Sequence, residues 1–290
     1  MDIKLLFVLG VIRGTLAQAD DQEEDDLSLP NSNVYYPAFL IDLKSTDLTY
    51  KLLSKSPFTY IVVDPDLVPM TSDEVIQLRK EGKIILAYLS VGQAEKSRHY
   101  WQDDWVPGSF PRFIDDSTPS KSSTRMNTRF WMPEWQSILR RYLQDLISYG
   151  YSGVVLDSVD TYQRFVQQEE RLFPADDMIA LIAGLRQQQR DFLLFVTNAV
   201  ELYQDDLFRR SIDGIVATGT WYHTDVPIDQ RNTNFTLGFL RKARADTKTI
   251  LASDFPKDLT HVCDFYIKCT TEVFRCAVFD VRLNGAGESC

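Results

Sequence analysis

The sequence predicts an α/β fold, a single-domain (β/α)8 (TIM) barrel. Three observations carry that expectation: eight short apolar runs, segments of helical period between them, and roughly 250 residues without a Pro/Gly/Ser-rich linker. The runs are Tyr36 to Ile41, Tyr60 to Val63, Ile84 to Leu89, Gly153 to Leu156, Leu193 to Thr197, Gly214 to Ala217, Thr249 to Ala252 and Ala277 to Val281. None alternates cleanly between apolar and polar residues, as expected of parallel strands buried on both faces.

The intervening helices carry start and stop signals. Thr71-Ser72-Asp73-Glu74 is a capping-box pattern closed by Gly82, and Pro133 opens a helix that ends at Gly150. In the second, Trp135, Ile138, Leu139, Tyr142, Leu143, Leu146 and Ile147 share one face, so that face must pack on something apolar. Met178, Ile179, Ile182 and Leu185 repeat the pattern before the fifth run. An open doubly wound sheet is the rival. It is disfavoured because no strand is followed by G-x-G-x-x-G or G-x-x-x-x-G-K, which also argues against nucleotide binding.

At 290 residues, 44% hydrophobic, 25% charged and 12% aromatic, the composition is that of an ordinary globular protein. The longest apolar run near the start, Leu5 to Ile12, is too short to span a membrane, so no membrane anchor is expected. It lies between Lys4 and Ala17-Gln18-Ala19, the pattern of a secretory leader, so residues 1–19 are expected to be a signal peptide and the protein extracellular. Residues 20–33 then form an acidic segment, and the barrel runs from 34 to 290. Loss of Lys4, Arg13 and Asp2 with the leader moves the net charge from −10 to −11, which disfavours nucleic acid and tolerates a cationic partner. A monomer is expected.

All four cysteines, Cys263, Cys269, Cys276 and Cys290, fall in the last 28 residues. In an exported chain they predict two disulfides with three possible pairings; no paired Cys-x-x-Cys spacing supports a metal site. Asn234-Phe235-Thr236 is a glycosylation sequon at Asn234.

A barrel places its site at the carboxyl ends of its strands. The residues following the runs include Asp42, Asp64 and Asp66, Ser90 to Gln93 with Glu95, Asp157 and Asp160, Asn198 with Glu201, Thr218 to Thr220, and Asp254. Loops begin with polar residues in any protein, but repetition at most strands favours a site for a polyol or sugar. Asp157, directly after Val154-Val155-Leu156, suits a nucleophile, a base or a charge stabiliser for an oxocarbenium-like transition state. Asp160 reads as a helix cap or hydrogen-bonding group. Trp221 and Tyr222, directly after the sixth run, are the preferred sugar-stacking rings, with Tyr100, Trp101, Trp105 and Trp131 as further candidates and Trp135 assigned to the core. The long loop from Gln102 to Arg129 reads either as a lid or cleft wall or as a surface insertion.

Four segments, Ile61 to Asp66, Ala87 to Glu95, Phe130 to Trp135 and Gly153 to Tyr162, resemble in order the motifs of the endo-α-1,4-polygalactosaminidase-like glycoside hydrolases. The resemblance covers about Tyr35 to Arg282. It implies a secreted (β/α)8 barrel that hydrolyses α-1,4-linked galactosamine-type polysaccharide with two carboxyl groups and no cofactor or metal. Asp157 matches one member of the pair, and Asp64, Tyr88, Asp160 and Asn198 would line the sugar subsite. A partly deacetylated polymer of this kind is cationic and would suit the acidic rim.

Two departures stand out. The family's Gly-Glu-Ala-Glu reads Gly92-Gln93-Ala94-Glu95, and the strand-six glutamate that is the second catalytic carboxyl falls at Thr218. Threonine has no useful acidity near neutral pH. Glu95, Glu201 and Asp254 are the sequence's candidates to replace it. The alternatives are a catalytically impaired carbohydrate-binding protein of the same fold, or a secreted structural protein that neither binds nor cleaves sugar.

Overall fold

A computed structural model describes residues 35, 37–44, 46–117, 124–167, 171–279 and 288–290. The expected leader 1–19 and acidic segment 20–33 lie outside the described residues. Eight parallel strands form the barrel: β1 Phe39–Asp42, β2 Tyr60–Val63, β3 Ile84–Ser90, β4 Gly153–Asp157, β5 Leu193–Thr197, β6 Gly214–Thr218, β7 Thr249–Asp254 and β8 Arg275–Val278. Each pairs with the next in chain order, as in Phe39 with Tyr60, Leu86 with Gly153 and Leu251 with Arg275. The Ala38 N–H donates to the Cys276 carbonyl at 2.8 Å and joins the last strand to the first.

Eight α-helices surround these strands among the described residues: α1 Tyr50–Ser54, α2 Ser72–Lys80, α3 Pro133–Tyr149, α4 Tyr162–Gln167, α5 Pro174–Arg186, α6 Asp206–Ser211, α7 Gln230–Ala245 and α8 Leu259–Thr271. None is long and apolar enough to cross a membrane. The capping box on α2 forms as expected, with Thr71 and Glu74 satisfying each other's backbone N–H groups. Gly150 ends α3 at φ 99°, in the left-handed region where a Cβ is strained.

Two apolar layers follow from strand geometry. Inward side chains, including Phe39, Tyr60, Leu86, Val155, Phe195, Val216 and Leu251, fill the barrel, while their outward neighbours pack beneath the helices. Of the α3 face, Trp135, Leu139, Tyr142, Leu143 and Leu146 are buried, and the Trp135 indole donates to the Val91 carbonyl at 2.7 Å.

The outer strands differ in extent from the sequence reading. The first begins at Phe39 rather than at 36; Tyr36 is not described, and Pro37 has no N–H to give a ladder. The last begins at Arg275, two residues before the apolar run, because its register is set by β7 and its guanidinium lies 4.8 Å from the centre of the Tyr60 ring. Residues 280–287 are outside the described set, including the end of the expected strand.

The two disulfides are Cys263–Cys290 and Cys269–Cys276. The second ties α8 to β8. The first fixes Cys290, whose backbone exchanges two hydrogen bonds with Tyr35 at 2.7 and 3.0 Å, while the Tyr35 ring stacks on Tyr266. Asn234 lies exposed on α7, its side-chain oxygen accepting from Gln230.

Because Cys263–Cys290 spans 27 residues and Cys269–Cys276 only 7, the two crosslinks should contribute unequally. Replacing the first pair by alanine should cost about 3 to 4 kcal/mol and the second about 2, measured by denaturant unfolding.

Candidate active site

Asp157 closes β4 with its carboxylate a quarter exposed and both oxygens engaged. Thr197, at the end of β5, donates to Oδ1 at 2.7 Å, and Tyr88 on β3 donates to Oδ2 at 2.7 Å. Strand register produces this: Ser90 lies opposite Asp157, so Tyr88 approaches from the neighbouring strand. The next residue, Ser158, takes φ 58°, and its carbonyl would sit 2.1 Å from a Cβ at position 92. Gly92 is therefore required for the β3 and β4 ends to meet.

Glu95 is buried on the short strand Gln93–Glu95, which pairs antiparallel with Arg125–Asn127. Arg98 reaches it at 2.5 Å, Arg125 at 2.7 Å, and the Tyr88 hydroxyl stands 3.2 Å away. Arg125 also donates to the Tyr88 hydroxyl at 2.9 Å and lies 3.9 Å from Asp157. Burial first, then the charges of Asp157 and Glu95, push the Tyr88 phenol far above its ordinary pKa, so it remains a proton donor.

Arg98 is the hub behind this layer. Its buried guanidinium pairs with Asp64 at 2.5 Å and Asp66 at 3.0 Å as well as Glu95, and Tyr142 donates to Asp66 at 2.7 Å. Burial alone would lower its pKa, yet hydrogen bonding to Asp64 and the charges of Glu95 and Asp64 raise it.

The other expected site residues separate into several environments. Gln93 donates to Asn127 at 2.9 Å and accepts from Ser158 at 3.4 Å, spanning the hairpin and the β4 end. Asn198, at φ 48°, is clasped to Thr218: its amide nitrogen donates to the threonine hydroxyl, and its oxygen accepts the Thr218 N–H, both at 2.9 Å. Glu201, on the turn after β5, accepts from Tyr162 and from Gln163.

Asp160, on the turn Val159–Thr161, is exposed. Its carboxyl pKa is nevertheless raised, first by partial withdrawal of water around the group, then by the negative charge of Asp157 and, more weakly, of Glu201.

Asp254 is wholly buried and accepts the backbone N–H groups of Thr220, Trp221 and Tyr222 at 2.7 to 2.8 Å. Burial pushes its carboxyl up to about 6 against the opposing effect of those donors. It organises the loop after β6 from beneath.

The rings of Trp221 and Tyr222 are buried rather than presented to a ligand. Trp221 packs edge-on against Phe265, while Tyr222 stacks on His261 and donates to Asp264. Three bonds from adjacent N–H groups to Asp254 pull this segment inward, a constraint that aromatic content alone does not reveal. The loop from Gln102 to Arg129 is a packed wall where described: Trp105, Phe113 and Asp115 are buried, and Asp115 pairs with Arg164 at 3.0 Å.

Arg98, Arg125 and Thr197 were missed because the sequence reading followed acids, amides and rings at strand ends. Two of them had a signal: Arg98 lies three residues after Glu95, and Thr197 is the polar last residue of its run.

A parallel barrel that gathers carboxylates, a phenol and guanidinium groups at the carboxyl ends of its strands has the plan of a carbohydrate-cleaving barrel enzyme. Residues 32–267 match the model of glycoside-hydrolase family GH114, and the chain belongs to that family. It is 27% identical over 244 residues to an uncharacterized protein of Methanocaldococcus jannaschii, covering 79% of this chain and 69% of that one. An uncharacterized Deinococcus radiodurans protein is 33% identical over 165 residues, 54% of this chain and 52% of its own length.

Two solved structures share the fold. The glycoside hydrolase domain of PelA from Pseudomonas aeruginosa superimposes with TM-score 0.70 at 17% identity, covering 87% of this chain and 98% of that one. Aspergillus fumigatus Ega3, solved in complex with galactosamine, gives 0.62 at 15% identity over 93% and 100%.

Arg98→Met should leave Asp64 and Glu95 buried without their shared cation and cost about 3 to 5 kcal/mol in urea unfolding. Asp254 gives a pH-dependent test. Its folded pKa of about 6 exceeds the ordinary 3.8, so its contribution is full below about pH 4 and is lost as pH rises through 6. The stability of the parent relative to Asp254→Asn should fall by about 3 kcal/mol across that window, read from paired denaturation curves.

Proposed function

We propose that this chain is an extracellular, monomeric glycosidase that cleaves α-1,4-linked galactosamine-type polysaccharide at the carboxyl rim of its barrel. The observation that carries the reading is Asp157: a partly exposed carboxylate at a strand end, its two oxygens aimed by Tyr88 and Thr197. Such a group is oriented before substrate arrives and serves as nucleophile or as base toward the anomeric carbon, while a second carboxyl protonates the leaving oxygen.

The substrate class is supported by charge and by relatedness. Asp64, Asp66, Glu95, Asp157, Asp160 and Glu201 lie at or beneath the rim, and Arg98 and Arg125 pair with the first four of them. An ammonium group on a sugar suits that excess of negative charge, and Ega3, of the same fold, was solved with galactosamine. Export is supported by the leader-like residues 1–19 and by the two disulfides.

A binding protein without turnover is the second reading, favoured by the Asn198–Thr218 clasp, which places neutral groups at the end of β6. Incubation of the disulfide-intact protein with an α-1,4-galactosamine oligosaccharide, followed by mass spectrometry, separates the two. Hydrolysis predicts shorter oligosaccharides from the parent and a loss of about 10²-fold or more in Asp157→Asn. Thermal protection by the oligosaccharide with no fragments would instead favour binding alone.

A further inference from the structure

Strand register brings Arg125 to the site. It lies directly opposite Glu95 in the antiparallel pair of Gln93–Glu95 with Arg125–Asn127, so the hairpin backbone sets where its guanidinium reaches. Nη2 stands 2.7 Å from Glu95 Oε1 and donates to the Tyr88 hydroxyl at 2.9 Å, while Nη1 stops 3.9 Å from Asp157 Oδ2. Its neighbours Arg98, Glu95 and Tyr88 are buried, whereas the Arg125 side chain is 46% exposed and that of Asp157 25%. A ligand that reaches the Asp157 carboxylate from solvent therefore meets a guanidinium beside it.

The two exposed charges are opposite in sign and close enough to offset each other. Glu95, behind them, is answered twice, by Arg98 and by Arg125. This corner of the rim has little negative charge left to hold an ammonium group, and an ammonium beside a guanidinium is repelled. An amide carbonyl is not, because it accepts a charge-assisted hydrogen bond from the same group. The acidic chain, at net charge −10, attracts a partly deacetylated polymer as a whole; the Arg125 corner discriminates between its rings by repulsion.

Resting on the glycosidase reading above, we infer that Arg125 selects the acylation state of the sugar ring at Asp157, admitting a ring whose C2 nitrogen is acylated and rejecting one with a free ammonium. The acyl carbonyl accepts from the guanidinium. The C2 nitrogen is two bonds from C1, so a ring presenting C1 to Asp157 carries that nitrogen into the same few ångströms that separate Asp157 from Arg125. Hydrolysis adds water across the C1–O bond, the hydroxyl to C1 and the proton to the departing oxygen. The ring at Asp157 thus becomes the new reducing end, and it is an N-acylated one.

The test digests partly N-acetylated α-1,4-galactosamine oligosaccharides of mixed sequence with the disulfide-intact protein, tags the new reducing ends with borodeuteride and reads them by tandem mass spectrometry. The parent should give a ratio of N-acetyl to free-amine ends about five- to tenfold above that of the substrate. Arg125→Gln should lose that enrichment, and Arg125→Lys, which keeps the charge, should retain most of it. Because the rejection is electrostatic, the parent's enrichment should shrink at about 1 M salt. Arg98 still pairs with Glu95 in both variants, and their denaturation midpoints check that they fold. If they do not, the parent's ends and their salt dependence decide.

Parent ends that carry the free amine or mirror the substrate, or an enrichment unchanged in a folded Arg125→Gln, overturn the assignment while the glycosidase reading stands. A parent that releases no fragments sinks the glycosidase reading by itself. Calorimetric titration with fully N-acetylated and fully deacetylated α-1,4-galactosamine tetrasaccharides then decides the selection. A ratio of affinities that shifts about fivefold toward the deacetylated sugar in Arg125→Gln upholds it, and an unchanged ratio overturns it.

Discussion

A buried guanidinium allows this barrel to carry so many carboxylates at one end. Arg98 touches Asp64, Asp66 and Glu95, which come from the β2 and β3 ends, and draws them into one layer beneath the rim. Without that cation the like charges would repel and each would face the cost of leaving water unpaired. With it, the layer becomes a floor for Tyr88, whose ring centre lies 5.3 Å from Arg98 and whose hydroxyl aims Asp157. The position of Asp157 therefore depends on a residue that does not contact it.

The two halves of the rim are held by different physics. Around β3 and β4 ion pairs dominate, with Arg125 bridging Glu95 and Asp157 from the hairpin. Around β5 to β7 neutral hydrogen bonds dominate: the Asn198–Thr218 clasp and the three N–H groups gathered by Asp254. Membership of glycoside-hydrolase family GH114 fixes the frame in which these halves sit.

Much of this was legible in the sequence where a periodic pattern coincided with punctuation. The α2 capping box, the Pro133 to Gly150 helix and the six central strands lie close to where residue types put them. The barrel ends were read less well because β8 takes its register from a neighbouring strand and begins at a charged residue. At the site, Asp157 was evident from the run before it. The inward turn of Trp221 and Tyr222 was not, since it depends on Asp254, more than 30 residues away. Arg125 escaped for the same reason: its partners are brought to it by a strand pairing across a long loop.

The Tyr35–Cys290 backbone pair makes residues distant in sequence bonded neighbours. Between positions 35 and 290 the polypeptide is thus nearly a ring, and linking those positions by a few residues would carry little additional closure entropy. The order in which the strands emerge from the ribosome is then separable from their order around the barrel. A circularly permuted chain, opened at the Asp246–Lys248 turn after α7, could enclose the same carboxylates with β7 translated first.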